Sequence, residues 1–142
     1  MNNLKVTRKI IFICKYNAFR SRVAERYFNK LNKNKDYVGI SRGFIMGGAP
    51  DEKQFRVSRN MLGVNINFKS KSVDLKELID ADKIIIVAKD IPNVMFDYWL
   101  VPLKKKIIRW DIKDEQRQNE KNIKKIIFKV QKRVEKLVED LK

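Results

Sequence analysis

The sequence predicts an α/β domain built on an open four-stranded parallel sheet with helices on both faces. Two features point there. Short apolar runs bounded by polar turns alternate with longer stretches whose apolar residues recur every three or four positions, the pattern of buried strands joined by crossover helices. The first apolar run also stops abruptly at a polar loop holding the chain's only cysteine, Cys14. In open parallel sheets, ligands bind beyond the carboxyl ends of the strands.

Taken in order, Lys9–Cys14 is a continuous apolar run, suited to a strand buried on both faces. From Arg22 the pattern becomes helical, with Val23, Ala24, Tyr27, Phe28 and Leu31 forming a stripe. Asp36–Ser41 reads as the second strand and is followed by the turn-rich RGFIMGGAP. Asp51 to Leu62 predicts a helix capped by Asp51 and ended by Gly63, which tolerates the left-handed conformation of a helix end. Ser72 is expected to open a short helix, SVDLKELID, with acidic residues near its start. KIIIVAKD supplies the third strand and KKIIRWDI the fourth. Gln116 to Lys142 reads as one long amphipathic helix whose stripe is Ile123, Ile126, Ile127, Val130, Val134, Leu137, Val138 and Leu141. Such a stripe is core and leaves little room for a functional role.

With 142 residues, the chain is long enough for one domain, residues 1–142, around one core. No apolar stretch approaches the roughly 18 residues of a membrane span, and the basic N-terminus leads into too short an apolar run for a secretory signal. A single cysteine excludes an internal disulfide and suggests a reducing, cytoplasmic setting. The absence of histidine removes the usual general base and the usual zinc ligand, so Ser-His and metal-hydroxide mechanisms are not expected. Lysine and arginine outnumber acidic residues 33 to 17, a formal charge of +16. The lysines are spread along the chain, which reads as a solvated surface able to attract anions more than as a dedicated nucleic-acid patch.

The segment CKYNAFRS concentrates the chemistry. Read one residue at a time it is unremarkable: Cys14 as a small buried hydrophobe, Arg20 as a solvated helix-start residue, Ser21 as an N-cap. Together they form a short strand-to-helix loop whose backbone N–H groups can curl around one anion, helped by the positive end of the helix. The same field favours an ionised, nucleophilic sulfur at Cys14. Arg20 offers a planar fork matching two oxygens of a phosphate-like dianion. Ser21 can hydrogen-bond the sulfur, and Asn17 can brace the loop. On this reading Cys14 and Arg20 are catalytic, and the phosphate cradle is Lys15, Tyr16, Asn17, Ala18, Phe19, Arg20 and Ser21.

These residues resemble a known family. FICKYNAFRSRVAERYF is similar to the phosphate-binding loop and first helix of the low-molecular-weight protein tyrosine phosphatases, whose pattern is Cys-x5-Arg-Ser after the first strand. GISRG, LIDADKIIIVAKD and IIRWDIKDE resemble further segments of that family in the same order, over most of the chain. The resemblance implies hydrolysis of phosphate monoesters, expected to be phosphotyrosine in proteins or a small ester, through a phosphocysteine, with inorganic phosphate as product. It implies no metal and no cofactor, and the short apolar runs lead to the expectation of no membrane partner. It also implies a general acid in WDIKDE, where Asp114 is preferred and Asp111 is the structural alternative.

The departures are specific. Tyr16 stands where the family has Gly, so it either adopts an ordinary conformation or is strained. Neither Asp111 nor Asp114 precedes a proline, whereas the family's acid commonly does. Phe19 stands where many relatives have a second loop cysteine. Two other functions remain: arsenate reduction, which with one cysteine would need an external thiol, and non-catalytic binding of anions or nucleic acid, for which FDYWLVPLKKKIIRW and RVSRN are the nearest basic-aromatic segments. Tyr16, Phe44 and Trp99 are candidate pocket walls, and Tyr98 and Trp99 could line the entrance.

Overall fold

The computed structural model of the chain describes residues 7–91, 101–114 and 119–142. Its elements are β1 (Arg8–Cys14), α1 (Arg20–Leu31), β2 (Tyr37–Gly43), α2 (Glu52–Leu62), α3 (Leu75–Asp80), β3 (Lys83–Val87), β4 (Ile107–Trp110) and α4 (Glu120–Asp140). A 3-10 turn, Val101–Lys106, leads into β4. The strands form one sheet in the order β2-β1-β3-β4, and every pairing is parallel. This is the predicted architecture.

β1 lies inside the sheet, with Phe12 opposite Ser41 on one side and Ile85 on the other. Its residues Ile10 to Ile13 are essentially inaccessible to solvent, which explains why the run is apolar without alternation. Successive side chains still point to opposite faces, and two cores result. Ile10, Phe12, Ile85 and Val87 join Val23, Ala24 and Phe28 of α1 and the stripe Ile123, Ile126, Ile127, Val130 and Val134 of α4. Phe12 meets Phe28 and Trp110 with ring centroids 5.7 and 5.8 Å apart. Ile11, Ile13, Ile84 and Ile86 face the other way, against Leu78, Ala81, Ile91 and Leu103. Each fully buried aliphatic side chain contributes about 1.5–3 kcal/mol, so both faces of β1 resist displacement of its carboxyl end.

Side-chain caps set the starts of α2, α3 and α4. Asp51 and Gln54 form a reciprocal capping box on α2, and Gly63 ends it at φ 66°, as expected. The short helix begins at Leu75 and not at Ser72. Asp74 with Glu77 makes its capping box, while Ser72 forms an isolated bridge to Gly43. β2 runs two residues beyond the expected Ser41, because Cys14 pairs with Gly43. α4 is observed from Glu120 with Asn119 as its cap; Gln116, its expected start, lies outside the described residues. Val138 and Leu141 of the predicted stripe are only half-buried. Among the described residues no helix is long and apolar enough to cross a membrane.

Candidate active site

The carboxyl end of β1 opens into the loop between Cys14 and α1, where Cys14 is 2% exposed. The next segment in space is the continuation of β2. There Phe44 N donates to Cys14 O at 2.9 Å, Ile45 N to Lys15 O at 2.8 Å and Gly47 N to Tyr16 O at 3.0 Å. A trans peptide is planar, with its C=O and the following N–H pointing in opposite directions. Fixing these carbonyls outward therefore turns the N–H groups of Lys15, Tyr16 and Asn17 to the inside of the loop. Gly43 makes the close approach feasible, since a Cβ there would lie 2.7 Å from Tyr16 C and 2.8 Å from Asn17 N.

Among the described residues, Asn17 is the only non-glycine with positive φ, at 54°. Tyr16 thus keeps an ordinary conformation without glycine, and the left-handed turn falls on Asn17, a residue type that tolerates it. The Asn17 side chain is fully enclosed. Its Nδ2 donates to Ser21 Oγ at 2.9 Å and Ser41 Oγ at 3.1 Å, and its Oδ1 accepts from Lys71 N at 3.0 Å. Ser21 Oγ in turn lies 3.0 Å from Cys14 Sγ. Ser41 N donates to Glu25 Oε1 at 2.9 Å; burial pushes the Glu25 carboxyl above its ordinary pKa, with Arg26 and Ser41 acting against it. Among the described residues no buried side-chain nitrogen or oxygen lacks a partner, so the network behind the sulfur is fully satisfied and rigid.

α1 begins at Arg20, earlier than its apolar stripe suggests, and its N-cap Phe19 makes no side-chain capping bond. The first N–H groups of the helix therefore face the loop, in the position that favours an anion. Phe19 itself is buried in the core on the α1 face, so its part in the loop is that of backbone and anchor. Arg20, 4% exposed, reaches across to β3. Its Nη1 donates to Asp90 Oδ1 at 2.9 Å and Ile112 O at 3.0 Å, and its Nη2 to Asp90 Oδ2 at 3.3 Å. Burial alone would raise the Asp90 carboxyl, but the hydrogen bond and charge of Arg20 outweigh it and hold the group below its ordinary value. Asp90 uses the end of the guanidinium, leaving its Nε edge for another oxyanion.

A cavity of about 180 Å³ stands over the loop, lined by Cys14, Tyr16, Ala18, Phe19, Arg20, Gln54 and Asp114. The structure thus brings Cys14, Arg20 and Asp114 to one small space. Asp111 points elsewhere, paired with Arg109 at 3.0 Å and largely exposed. Tyr16 lines the cavity, 45% exposed at its rim, and Lys15 Nζ sits 5.2 Å over the Tyr16 ring. Phe44, a candidate wall, instead packs on the second core. Tyr98 and Trp99 lie outside the described residues. A larger hollow of about 550 Å³ near the end of α4, lined by Leu31, Asn34, Glu135 and Val138 among others, contains no cysteine, serine or threonine.

Sequence reading did not single out Asp90, Ser41 or Gln54. The rule that ligands gather beyond the carboxyl ends of parallel strands would have drawn attention to Asp90, three residues past β3. Nothing local marks Ser41, and the local signal at Gln54, three residues after Asp51, is that of a capping box and not of a site.

Comparison with known proteins agrees with this fold. The family described as low molecular weight phosphotyrosine protein phosphatase matches residues 9–142. No curated protein is similar enough in sequence to match. Among solved structures, a low molecular weight protein tyrosine phosphatase from T. tengcongensis is 22% identical, with a TM-score of 0.82, over 94% of this chain and 99% of that one. The YwlE arginine phosphatase from Geobacillus stearothermophilus is 16% identical, with a TM-score of 0.80, over 94% and 92%. An arsenate reductase from Archaeoglobus fulgidus is 25% identical, with a TM-score of 0.71, over 91% and 98%. The likenesses below 25% identity speak for the fold, while the family match extends over nearly the whole chain, from β1 through α4. The chain belongs to the low molecular weight phosphotyrosine protein phosphatase family.

Proposed function

We propose that this protein hydrolyses phosphate monoesters, phosphotyrosine in proteins being the expected class, with Cys14 as nucleophile and Asp114 as general acid. The supporting observation is that Cys14, Arg20 and Asp114 line one cavity of about 180 Å³ while Ser21 Oγ touches the sulfur. In the first step Cys14 Sγ attacks phosphorus in line with the ester oxygen. The S–P bond forms, the P–O bond breaks, and the leaving oxygen takes the carboxyl proton of Asp114. The loop N–H groups and Arg20 hold the three equatorial oxygens and stabilise the charge on them. In the second step Asp114 takes a proton from water, which attacks phosphorus. The S–P bond breaks, inorganic phosphate leaves, and the Cys14 sulfur keeps the bonding pair as a thiolate hydrogen-bonded by Ser21. The metaphosphate-like transition state demands positioning and charge more than covalent help, and the cradle supplies both.

Hydrolysis of para-nitrophenyl phosphate and of phenyl phosphate tests the assignment. Cys14→Ser is expected to abolish turnover. Asp114→Asn should cost about 10²–10⁴-fold on the poor leaving group and far less on nitrophenol, while Asp111→Asn leaves both near wild type. A drop confined to Asp111→Asn would overturn the acid assignment. Arsenate-dependent consumption of an external thiol without ester turnover, or salt-sensitive nucleic-acid binding without turnover, would replace the phosphatase reading.

A further inference from the structure

Arg22 is among the largest fully buried side chains, 1% exposed, and among the described residues it has no carboxylate at ion-pairing distance. Its partners are four backbone carbonyls. Nε donates to Asn17 O, Nη1 to Ile66 O at 3.0 Å and to Phe68 O, and Nη2 to Gly48 O at 3.3 Å. The guanidinium lies 4.7 Å over the Phe68 ring. Burial pushes its pKa down, with the charges of Cys14 and Glu25 acting the other way. A cation taken out of water costs several kcal/mol unless its hydrogen bonds are met, and a solvated surface arginine would need no such setting.

The bond to Asn17 O explains the placement. The carbonyls of Cys14, Lys15 and Tyr16 are fixed outward by the strand-like segment 44–47. At Asn17 the backbone turns left-handed, and the fourth carbonyl is taken by a side chain from the first turn of α1. Holding Asn17 O outward points the N–H of Ala18 inward, toward the cavity that Ala18 lines. The same guanidinium ties Gly48 and residues 66–68 to the loop, and their neighbours reinforce it: Ser70 Oγ donates to Gly47 O and Lys71 N to Asn17 Oδ1.

We propose that Arg22 is a positioning residue of the oxyanion cradle, setting the Ala18 N–H donor by clamping the Asn17 carbonyl from behind. The proposal rests on the phosphatase reading and adds to it a residue that touches neither substrate nor sulfur. Its signature is weaker binding of tetrahedral oxyanions, separate from any loss of stability. The experiment uses the full chain and inorganic phosphate as the probe, read as a competitive inhibition constant and as a thermal shift. Arg22→Met should raise the phosphate constant about ten- to a hundredfold, less than the roughly 10²–10³-fold in turnover that outright loss of an oxyanion donor costs, because the Ala18 N–H is misaimed and not removed. Arg22→Lys should fall between, because one ammonium holds Asn17 O but not all four carbonyls. Leu62→Ala, a core truncation on α2, controls for stability alone: its thermal midpoint falls and its phosphate constant stays put. A folded Arg22→Met protein with a phosphate constant within twofold of wild type overturns the proposal. If that variant does not fold, an Arg22→Lys constant equal to wild type does the same. Wild-type protein that is stabilised by phosphate yet hydrolyses no ester overturns the phosphatase reading alone, and the thermal shift then still measures the clamp. Wild-type protein whose midpoint phosphate does not move overturns both.

Discussion

Replacing Asn17 separates the two tasks that residue performs. Its side chain makes three hydrogen bonds, to Ser21 Oγ, Ser41 Oγ and Lys71 N, and its backbone sits at φ 54°. At about 1 kcal/mol per bond, Asn17→Gly should cost roughly 3 kcal/mol while keeping the turn accessible. Asn17→Ala loses the same bonds and adds the penalty of a Cβ in the left-handed region, about 1–2 kcal/mol. Part of that difference is offset by the greater flexibility of glycine in the unfolded chain, about 0.4–1 kcal/mol. The expected order is therefore wild type, then Gly, then Ala, with the two variants about 1 kcal/mol apart. For a chain of this size 1 kcal/mol moves the thermal midpoint by about 2–4 °C. Urea titration gives the stabilities. Repeating it with phosphate at about a hundred times its dissociation constant should add about 2.7 kcal/mol to wild type and distinctly less to either variant, since Asn17 orders the cradle. Alanine equal to or more stable than glycine would show that the turn is not made at residue 17. Two variants as stable as wild type would show that the hydrogen-bonded bracket does not form.

Other consequences concern neighbours of the cradle. Under the proposed phosphatase reading, Asp90→Asn removes the carboxylate that aims Arg20, so kcat/KM should fall about ten- to a hundredfold, the scale of a slightly misplaced group at a reacting centre. The Asp90 carboxyl is held below its ordinary value by Arg20 against the opposing effect of burial. Its contribution to stability is thus present above the ordinary aspartate range and lost as pH falls through the depressed value. Urea midpoints measured down an acid series should flatten in Asp90→Asn; an unchanged slope would refute the pairing. Gly43→Ala would put a Cβ 2.3 Å from Ile45 O and 2.7 Å from Tyr16 C, against backbone that cannot yield. A loss of about 3 kcal/mol or more and of phosphate binding is expected, whereas Gly48→Ala, with nothing within 4 Å of the added carbon, stays within about 0.5 kcal/mol of wild type.

Much of this molecule is written locally. The uninterrupted apolar run of β1 requires burial on both faces. The stripe of α4 requires one apolar neighbour along its length. Asp51 and Gly63 bound α2 by their own chemistry, and the interval from Cys14 to Arg20 sets the length of the strand-to-helix loop. None of these depends on knowing what lies across the sheet. The partners of the loop are different. Arg20 meets Asp90, seventy residues later, because β1 and β3 are adjacent and in a register that brings their carboxyl ends to one edge. Asn17 meets Ser41 and Lys71 because β2 flanks β1 on the other side. Asp114, and not Asp111, faces the cavity because the chain leaving β4 turns Asp111 outward to Arg109. Arg22, to local reading a charge on a helix's first turn, is buried because two distant segments present carbonyls to its guanidinium. Periodicity encodes which face of an element is apolar, and that is a property of neighbouring residues. Which side chains meet at the carboxyl edge follows from strand order and register, and these are set only when the whole sheet has assembled.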